Sequence, residues 1–408
     1  MRENELITAP DLMMDRVRGE ADGIRGDVED QDVATEELFV NMGPQHPSTH
    51  GVLRIILRSD GELILDAVPV IGYLHRCAEK VGEGVPAVQY IPYTDRLDYL
   101  AAMINNCAYA MPIEKLAGIE VPERGRYIRT IMSELNRIAS HLVSFGAYGL
   151  DMGAFTPFLY AFREREYIVD LFEEVCGARL TYSYITVGGP RWDLPEGWID
   201  RCRRFLDYFE PKIDEYNTLL SFNHIFVKRT SNVGVISTDD AIAWGLSGPC
   251  LRGSGVKWDL RRSAPYDIYD RSEFEVPVGV DGGHDEVPRG VVVGDSWNRY
   301  FVRILEMRQS VRIVRQALDQ MPDGKIQGKV PRQLKLPADE IYHEIEGARG
   351  QLGFYIVTDG QTVPYRVKVR GPCFCNLSIL RHICQDVLLA DVPAIVGSID
   401  VVMGEVDR

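Results

Sequence analysis

The chain has 408 residues, 45% of them hydrophobic, which is enough to bury a large core and predicts two or three substructures. Its net charge of −15 argues against nucleic acid and anionic lipid as direct partners, because both attract basic surfaces. No apolar run approaches the ~18 residues of a membrane span and no signal-peptide pattern opens the sequence, so we expect a soluble protein that reaches a membrane only through partners.

The first 36 residues carry many charges and little apolar periodicity. Such a segment buries too little surface to offset the entropy lost on ordering, which predicts a mobile or partner-bound arm. The following stretch, 41–54, contains Pro47 and Gly51 and is predicted to be a loop. Apolar runs on both sides of an Asp60-Gly61 turn predict a hairpin over about 52–70, which would hold this loop against a rigid sheet.

Helices are predicted to dominate the middle of the chain. Apolar residues recur at intervals of three and four, which predicts helices over about 97–116, 124–145, 157–176, 193–221 and 295–321. Asp193 and Asp295 are predicted to cap the last two at their start, Gly177 follows the end of the third, and Pro211 should bend the fourth.

A polar stripe runs along the second of these helices, over 124–145. Glu134, Arg137 and His141 follow one another at helical spacing, on a face next to the apolar one. We interpret the stripe as a solvated or interface face, because charged side chains are seldom fully buried.

The rest of the chain is predicted to be irregular and then β-rich. Residues 230–294 are rich in Gly, Ser and Asp and are expected to form an irregular excursion across the helices. Strands are predicted over 352–357 and 365–369, a short helix near 376–386, and a final strand-like run that ends at Arg408. The predicted class is α+β, mainly α, with a long-helix bundle over 94–322 between an N-terminal β-rich subdomain, 37–93, and a small C-terminal α/β segment, 323–408.

The eight cysteines include no Cys-x-x-Cys pair. In a chain of this length without a signal peptide a disulfide framework is not expected, so most should be buried thiols in a reducing compartment. Cys373 and Cys375 are closely spaced, but two ligands without a second pair are a weak metal signal. We therefore expect no metal site.

Five segments together form a recognisable pattern. They are Gly43–Arg54 (GPQHPSTHGVLR), Tyr73–Arg76, Asp95–Tyr99, Leu150–Ala154 and Gly397–Arg408. In this order they resemble the D subunit of proton-pumping NADH:quinone oxidoreductase (respiratory complex I), a family related to the large subunit of nickel–iron hydrogenases. The similarity extends over nearly the whole chain from about Leu38 and implies a hydrogenase large-subunit-like fold.

The resemblance implies a quinone site. In the family, the second histidine of the loop and the tyrosine of the Asp95–Tyr99 motif bind the quinone carbonyls, which are His50 and Tyr99 here. The family also pairs that histidine with an aspartate, which is Asp151, and a carboxylate beside an imidazole fixes its tautomer and lets the pair release and recover a proton. Without the resemblance, a loop histidine and a tyrosine at a helix start are more often structural.

Further residues are expected around the quinone and next to the terminal iron–sulfur cluster of a partner. Arg76 is implied to face that cluster, where a cation raises the reduction potential. The binding residues predicted in addition to the three catalytic ones are His46, Arg76, Arg96, Asp400, Val402, Glu405 and Arg408.

The implied function is that of the quinone-binding subunit of an enzyme that is active only when assembled and that couples electron transfer to proton translocation. Quinone is its substrate, whereas NAD and the iron–sulfur clusters belong to partner subunits. The expected partners are the iron–sulfur subunit with the terminal cluster, a C-type subunit, a ferredoxin-like two-cluster subunit and a membrane H-type subunit. The expected location is peripheral, on the cytoplasmic face of a bacterial inner membrane.

Three alternative functions are considered besides the quinone-binding subunit. A nickel–iron large subunit needs four cysteine thiolates in two paired motifs, and neither Asp95–Tyr99 nor Asp400–Gly404 contains a cysteine, so nickel is not expected. Two other interpretations stay open: the equivalent subunit of a ferredoxin- or deazaflavin-dependent complex, and a metal-free hydrogenase-like scaffold without turnover.

The chain departs from the family pattern at two positions. Cys77 stands where relatives commonly have glycine, which puts in doubt any backbone geometry that needs positive φ. Thr181 stands where the family often has a histidine near the terminal cluster. Since threonine does not titrate, we predict a cluster potential with little pH dependence between roughly pH 6 and 8.

Overall fold

The computed structural model describes residues 37–283 and 287–408, so the predicted arm over 1–36 lies outside the described residues. The described chain is mainly helical, with small antiparallel sheets near both ends, and this confirms the predicted fold class. No helix in these two ranges is both long and apolar enough to cross a membrane.

Three antiparallel sheets are present in the described residues. Their strands are β1 (Glu37–Met42), β2 (Arg54–Asp60), β3 (Leu63–Val70), β4 (Ile185–Thr186), β5 (Gly189–Pro190), β6 (Ala338–Glu346), β7 (Gln351–Asp359) and β8 (Arg366–Arg370). The predicted hairpin is confirmed, because Asp60 pairs with Leu63 across a two-residue loop. The N-terminal strand β1 and the strand β6 were not predicted.

Helices of very different length make up most of the structure. They are α1 (Ala78–Gly82), α2 (Ile91–Thr94), α3 (Ala102–Ala117), α4 (Glu123–Asp151), α5 (Thr156–Cys176), α6 (Trp198–Tyr216), α7 (His224–Thr230), α8 (Thr238–Ala243), α9 (Gly248–Gly253), α10 (Leu260–Ser263), α11 (Ser296–Gln320), α12 (Pro372–Leu377), α13 (Leu380–Ile383), α14 (Val392–Ile399) and α15 (Met403–Asp407).

Two hydrophobic cores hold these elements together. The larger core packs α3, α4, α5, α6 and α11 against the sheet of β6 to β8. The smaller core packs the sheet of β1 to β3 against α9 and the C-terminal helices α12 to α15. The candidate site residues lie where the loops and C-terminal helices of the smaller core meet α4.

Local capping chemistry sets several helix ends as predicted. The Asp295 side chain accepts a hydrogen bond from the Asn298 backbone N–H at the start of α11. Gly177 ends α5 with φ 73°, a left-handed conformation that glycine adopts without steric cost. The cap predicted at Asp193 is wrong: α6 begins only at Trp198, after Gly197, and continues through Pro211 to Tyr216, followed by a π-turn over 217–221.

Two chain segments differ from the prediction. The excursion over 230–294 contains the short helices α8, α9 and α10, which are too short to show a periodicity in sequence. The final strand-like run is wrong, because 392–399 and 403–407 are helical. Helix α14 is almost completely buried, so its apolar residues form a continuous run instead of an amphipathic pattern, whereas α15 has only five residues and is too short to show a helical period. The helix predicted near 376–386 is two shorter helices, α12 and α13.

The polar stripe of α4 is buried, which contradicts the predicted solvated face. Glu134, Arg137 and His141 are each 0% exposed. Glu134 is neutralised by Arg137 at 3.3 Å and Arg261 at 3.2 Å. Their ion-pairing and hydrogen-bonding partners lie in part on elements distant in sequence, which a helical periodicity cannot reveal.

Candidate functional site

His50 and Asp151 form a hydrogen-bonded pair at the edge of the helical bundle. His50 follows a 3₁₀ turn over Pro47–Thr49 and adopts a left-handed conformation, with φ 48° and ψ 45°. Its Nε2 lies 2.9 Å from Oδ2 of Asp151, and only 11% and 5% of the two side chains are exposed. The long helix was predicted to end near residue 145, but α4 continues and Asp151 is its last residue. The carboxylate is therefore held by a rigid element.

His46 helps to shape the turn that carries His50. Its Nδ1 accepts a hydrogen bond from the Ser48 backbone N–H at 3.2 Å, and its backbone pairs with that of Gly51. The loop is thus closed on itself by one side-chain contact and one backbone bridge. This fixes the direction in which the imidazole of His50 points.

Tyr99 begins a second 3₁₀ turn, over Tyr99–Ala101, just before α3. Asp98 caps this turn by accepting from the backbone N–H groups of Leu100 at 3.2 Å and Ala101 at 3.3 Å. Burial, and next the charge of Asp98, raise the pKa of Tyr99. The phenol therefore stays neutral at physiological pH and can donate a hydrogen bond.

A buried arginine joins the segments of Tyr99 and Asp400. Arg349, in the turn between β6 and β7, donates to Asp98 at 2.8 Å and to Oδ1 of Asp400 at 3.3 Å. It also donates to the Ser140 hydroxyl of α4 at 2.8 Å. The segment before α3, the C-terminal segment and the long helix α4 are therefore joined by one guanidinium.

The two carboxyl groups on Arg349 differ in electrostatic environment. Burial raises the pKa of Asp98. Burial would raise the pKa of Asp400 too, but Arg349, Arg303 and His50 outweigh it and lower that pKa. Asp400 is therefore the stable anion of this centre. Its charge acts on both His50 and Tyr99, which places it within electrostatic reach of both.

The remaining C-terminal residues of the predicted site surround Cys373. Val402 is buried, and its backbone N–H lies 3.4 Å from the Cys373 sulfur. Glu405 accepts a hydrogen bond from the Cys373 backbone N–H at 2.9 Å. Burial, and next the charge of Asp98, raise the pKa of Glu405 to about 7. This carboxyl can exchange a proton near neutral pH.

Helix α15 also holds the segment that carries Arg76. The Asp407 carboxylate accepts from the backbone N–H groups of Gly72 at 2.8 Å and Leu74 at 2.7 Å. The Asp407 carbonyl oxygen accepts from Nδ1 of His75 at 2.7 Å. Three hydrogen bonds thus fix the loop before Arg76.

Arg76 and Arg96 lie close together on an accessible surface. Arg76 donates to the backbone carbonyl of Arg96 at 2.5 Å, and the Arg96 side chain is 47% exposed. A Cβ on Gly404 would be 2.6 Å from the Leu97 carbonyl oxygen, so α15 approaches this segment as closely as glycine allows.

Arg408 lies apart from Arg349, in a cation-rich cavity of about 230 Å³. It donates to the Val369 carbonyl at 2.8 Å and lies 4.6 Å from the centre of the Phe374 ring. Cys77 lines the same cavity and adopts φ 57° and ψ 34°. Cys77 therefore adopts the positive φ that a glycine would adopt at this position. Its Sγ lies 3.7 Å from Nε2 of His75.

Several residues that build this site were not predicted. Asp98 had a detectable signal, since an aspartate just before a helical turn is a common cap. Arg349, Ser140 and Cys373 had none, because a buried arginine, serine or cysteine looks like any other in sequence. In the described residues, no group of three or more His, Cys, Asp or Glu side chains is arranged to hold a metal ion.

Comparison with known proteins gives consistent matches. The family model described as the 49 Kd subunit of respiratory-chain NADH dehydrogenase matches residues 151–335 and 328–408. The D subunit of NADH-quinone oxidoreductase from Desulforamulus reducens is 52% identical over 375 residues, covering 92% of this chain and 99% of that protein. The D subunit from Geobacillus kaustophilus is 52% identical over 374 residues, covering 91% of this chain and 99% of that protein. The D subunit from Bacillus cereus is 49% identical over 376 residues, covering 92% of this chain and 100% of that protein.

Proposed function

Because this chain belongs to the family of the 49 kDa subunit of respiratory-chain NADH dehydrogenase and is a subunit of an NADH-quinone oxidoreductase complex, we propose that it binds the quinone headgroup at His50 and Tyr99. The observation that carries the proposal is the 2.9 Å contact between His50 and Asp151, together with the buried anion Asp400, whose charge interacts with both His50 and Tyr99.

The proposed chemistry is proton delivery to a quinone that receives its electrons from outside this chain. Reduction to the quinol takes two electrons and two protons. The carboxylate of Asp151 can only accept, so Nε2 of His50 carries the hydrogen in their shared bond. The proton given to a quinone oxygen is then one carried on the other ring nitrogen, Nδ1, in the doubly protonated imidazolium form, and its transfer leaves His50 neutral. Tyr99 gives the second proton to the opposite oxygen.

The electrons would arrive from the terminal iron–sulfur cluster of a partner, bound at the surface of Arg76 and Arg96. Two guanidinium groups on that surface favour the reduced, more negative state of a nearby cluster. The partners we propose are this iron–sulfur subunit, a C-type subunit, a two-cluster ferredoxin-like subunit and a membrane H-type subunit. Through them the chain would sit peripherally at the cytoplasmic face of a bacterial inner membrane and take part in proton translocation.

The test is Tyr99→Phe in the assembled complex, with NADH as donor. Removing the hydroxyl should lower the quinone reductase rate by about 10²-fold or more, the usual contribution of a positioned proton donor. Reduction of the iron–sulfur clusters by NADH should be unchanged. Tyr365→Phe is the matched control, because that ring is 70% exposed on the C-terminal sheet. An unchanged rate in Tyr99→Phe would instead favour a scaffold without turnover.

A further inference from the structure

Three polar atoms in the interior have no hydrogen-bond partner among residues 37–283 and 287–408. They are Nε of Arg303 on α11, Nδ1 of His141 on α4 and Oδ2 of Asp400. All three side chains are essentially buried, at 3%, 0% and 4% exposure. A buried polar atom without a partner is destabilising, so three in one region call for a physical explanation.

One short distance and several charge interactions link the three side chains. Nε of Arg303 lies 3.6 Å from Oδ2 of Asp400, too far for a direct hydrogen bond. Arg349 lies 3.2 Å from the same oxygen but directs its hydrogen bond to Oδ1. His141 is the residue after Ser140, whose hydroxyl accepts a hydrogen bond from Arg349. The charge state of His141 also affects the pKa of Asp400.

His141 is also connected to α11, the helix that carries Arg303. Its Nε2 lies 2.9 Å from Oε2 of Glu306, and Glu306 is one helical turn after Arg303 on α11. Side chains three positions apart on a helix lie on the same face. Glu306 therefore connects His141 to the face of α11 that carries Arg303, and the charge of Arg303 acts on His141.

The protonation states define one donor and two acceptors. Burial would raise the pKa of Glu306, but Arg252 and His141 hold it well below its usual range, so Glu306 accepts from Nε2–H of His141. Burial also lowers the pKa of His141, so its Nδ1 is a bare acceptor. Oδ2 of the ionised Asp400 is the other acceptor, and Nε–H of Arg303 is the donor.

We infer that one water molecule is bound between Arg303, Asp400 and His141, and that His141 acts through it as a positioning residue for Asp400 behind the His50–Asp151 pair. A water accepts one hydrogen bond and donates two, which matches the three free atoms. A cation would face two guanidinium groups and an anion would face a carboxylate, so a neutral molecule fits best. The positioning role of His141, unlike the bound water, rests on the proposed quinone site.

The water holds Asp400 in its charged form. Asp400 interacts with charged or titratable groups from several elements, which are Arg349 from the turn between β6 and β7, Arg303 from α11, His141 from α4, His50 from the N-terminal loop, Asp98 and Tyr99 from the segment before α3, and Cys250 from α9. A hydrogen bond donated to a carboxylate favours the ionised form. An ionised Asp400 keeps a negative charge within electrostatic reach of the proposed quinone site.

The first test is a high-resolution map of the assembled wild-type complex. We expect one peak of solvent density within about 3.5 Å of Nε of Arg303, Nδ1 of His141 and Oδ2 of Asp400. An empty site, or a direct contact that satisfies these atoms, would overturn the inference.

The second test compares His141→Gln with His141→Asn by pH profile. The glutamine side chain keeps a donor to Glu306 near the position of Nε2 but has no acceptor at the position of Nδ1. The asparagine side chain keeps a polar atom near the position of Nδ1 but loses the contact to Glu306. Losing the water weakens the interactions that hold the pKa of Asp400 below its ordinary value of 3.8, so in His141→Gln the acid limb of the quinone reductase profile, below about pH 5, should move up by about one pH unit. The rate at pH 8 should stay within about twofold of wild type.

His141→Asn should keep the wild-type profile. A purely structural role for His141 would instead lower the rate of both variants at every pH, which would refute the inference. Native gel analysis of each complex shows whether assembly is intact. The two proposals fail separately: an unchanged Tyr99→Phe rate rejects the proton-donor function but leaves the water, while absent density rejects the water but leaves that function.

Discussion

Asp400 is the residue on which the candidate site depends most. It ends α14 in the left-handed region, with φ 60° and ψ 61°, a conformation that aspartate tolerates better than most residues. This turns its carboxylate toward Arg349 while its carbonyl oxygen accepts from Nε of the same arginine at 3.1 Å. Backbone and side chain of one residue are thus fixed by one partner.

Arg349 offers a stability test at the residue scale. Arg349→Met leaves Asp98 and Asp400 buried without their main cation, which should lower the free energy of unfolding by about 3–5 kcal/mol. The control is Arg312→Met, since Arg312 lies 3.7 Å from Glu273 on the surface and should lose less than about 1 kcal/mol. Chemical denaturation measures both. Similar losses in the two variants would show that the Arg349 cluster is not a stabilising centre.

Helix α15 is the element that connects the parts of the site. It contacts the loop before Arg76 through Asp407, the segment of Arg96 through Gly404, and α12 through Glu405. A Cβ on Gly51 would also come within 4.0 Å of Met403, so the His50 loop packs on the same helix. This short helix at the C-terminal end therefore sets the relative positions of most predicted site residues.

Gly404→Ala tests this close packing at the element scale. The new methyl group would lie 2.6 Å from the Leu97 carbonyl oxygen and 2.8 Å from that of Arg96, so α15 must move. We expect a loss of about 1–3 kcal/mol in thermal unfolding and a reduced quinone reductase rate in the complex. Gly84→Ala is the control, because its nearest neighbour would be the Val81 carbonyl at an ordinary 3.6 Å. Equal behaviour of the two variants would contradict the packing role of Gly404.

Over the whole molecule, the long helices α4 and α11 carry buried charge as well as apolar surface. Glu134 of α4 accepts from Ser310 of α11 at 2.6 Å and from Tyr269 at 2.6 Å. Glu306 of α11 binds His141 at 2.9 Å and Arg252 at 2.7 Å. These contacts join the helices to the segments between them, and the candidate site lies at one end of this network.

The buried carboxyl groups predict how stability depends on pH. The pKa of Glu405 rises from 4.5 to about 7 on folding, so the folded chain binds more protons between these values and its free energy of unfolding falls as the pH rises through them. The total effect is up to roughly 3 kcal/mol. Asp267, with a pKa raised by burial from 3.8 to about 6, acts in the same direction at lower pH.

Glu405→Gln should remove most of this dependence. Between about pH 5 and 8 the melting temperature of the wild-type chain should fall more than that of the variant, as followed by circular dichroism. Glu62→Gln on the exposed hairpin turn is the control and should behave like wild type. Parallel melting curves for Glu405→Gln and wild type would mean that this carboxyl does not titrate in the window.

The sequence by itself determined the long helices, the cap at Asp295, the hairpin at Asp60-Gly61 and the family pattern. These features depend on periodicity, turn chemistry or short motifs, all of which act between residues close in the chain. The pairing of His50 with Asp151 could be expected only from the resemblance.

Only the tertiary structure decided which polar residues are buried and which of them meet. Asp98 and Arg349 are 251 positions apart, and no local pattern marks them as partners. The stripe of Glu134, Arg137 and His141 is polar by composition, yet partners from distant segments make its burial possible. The C-terminal run was mistaken for a strand because α14 is apolar throughout and α15 has only five residues, so neither shows the period that separates a helix from a strand.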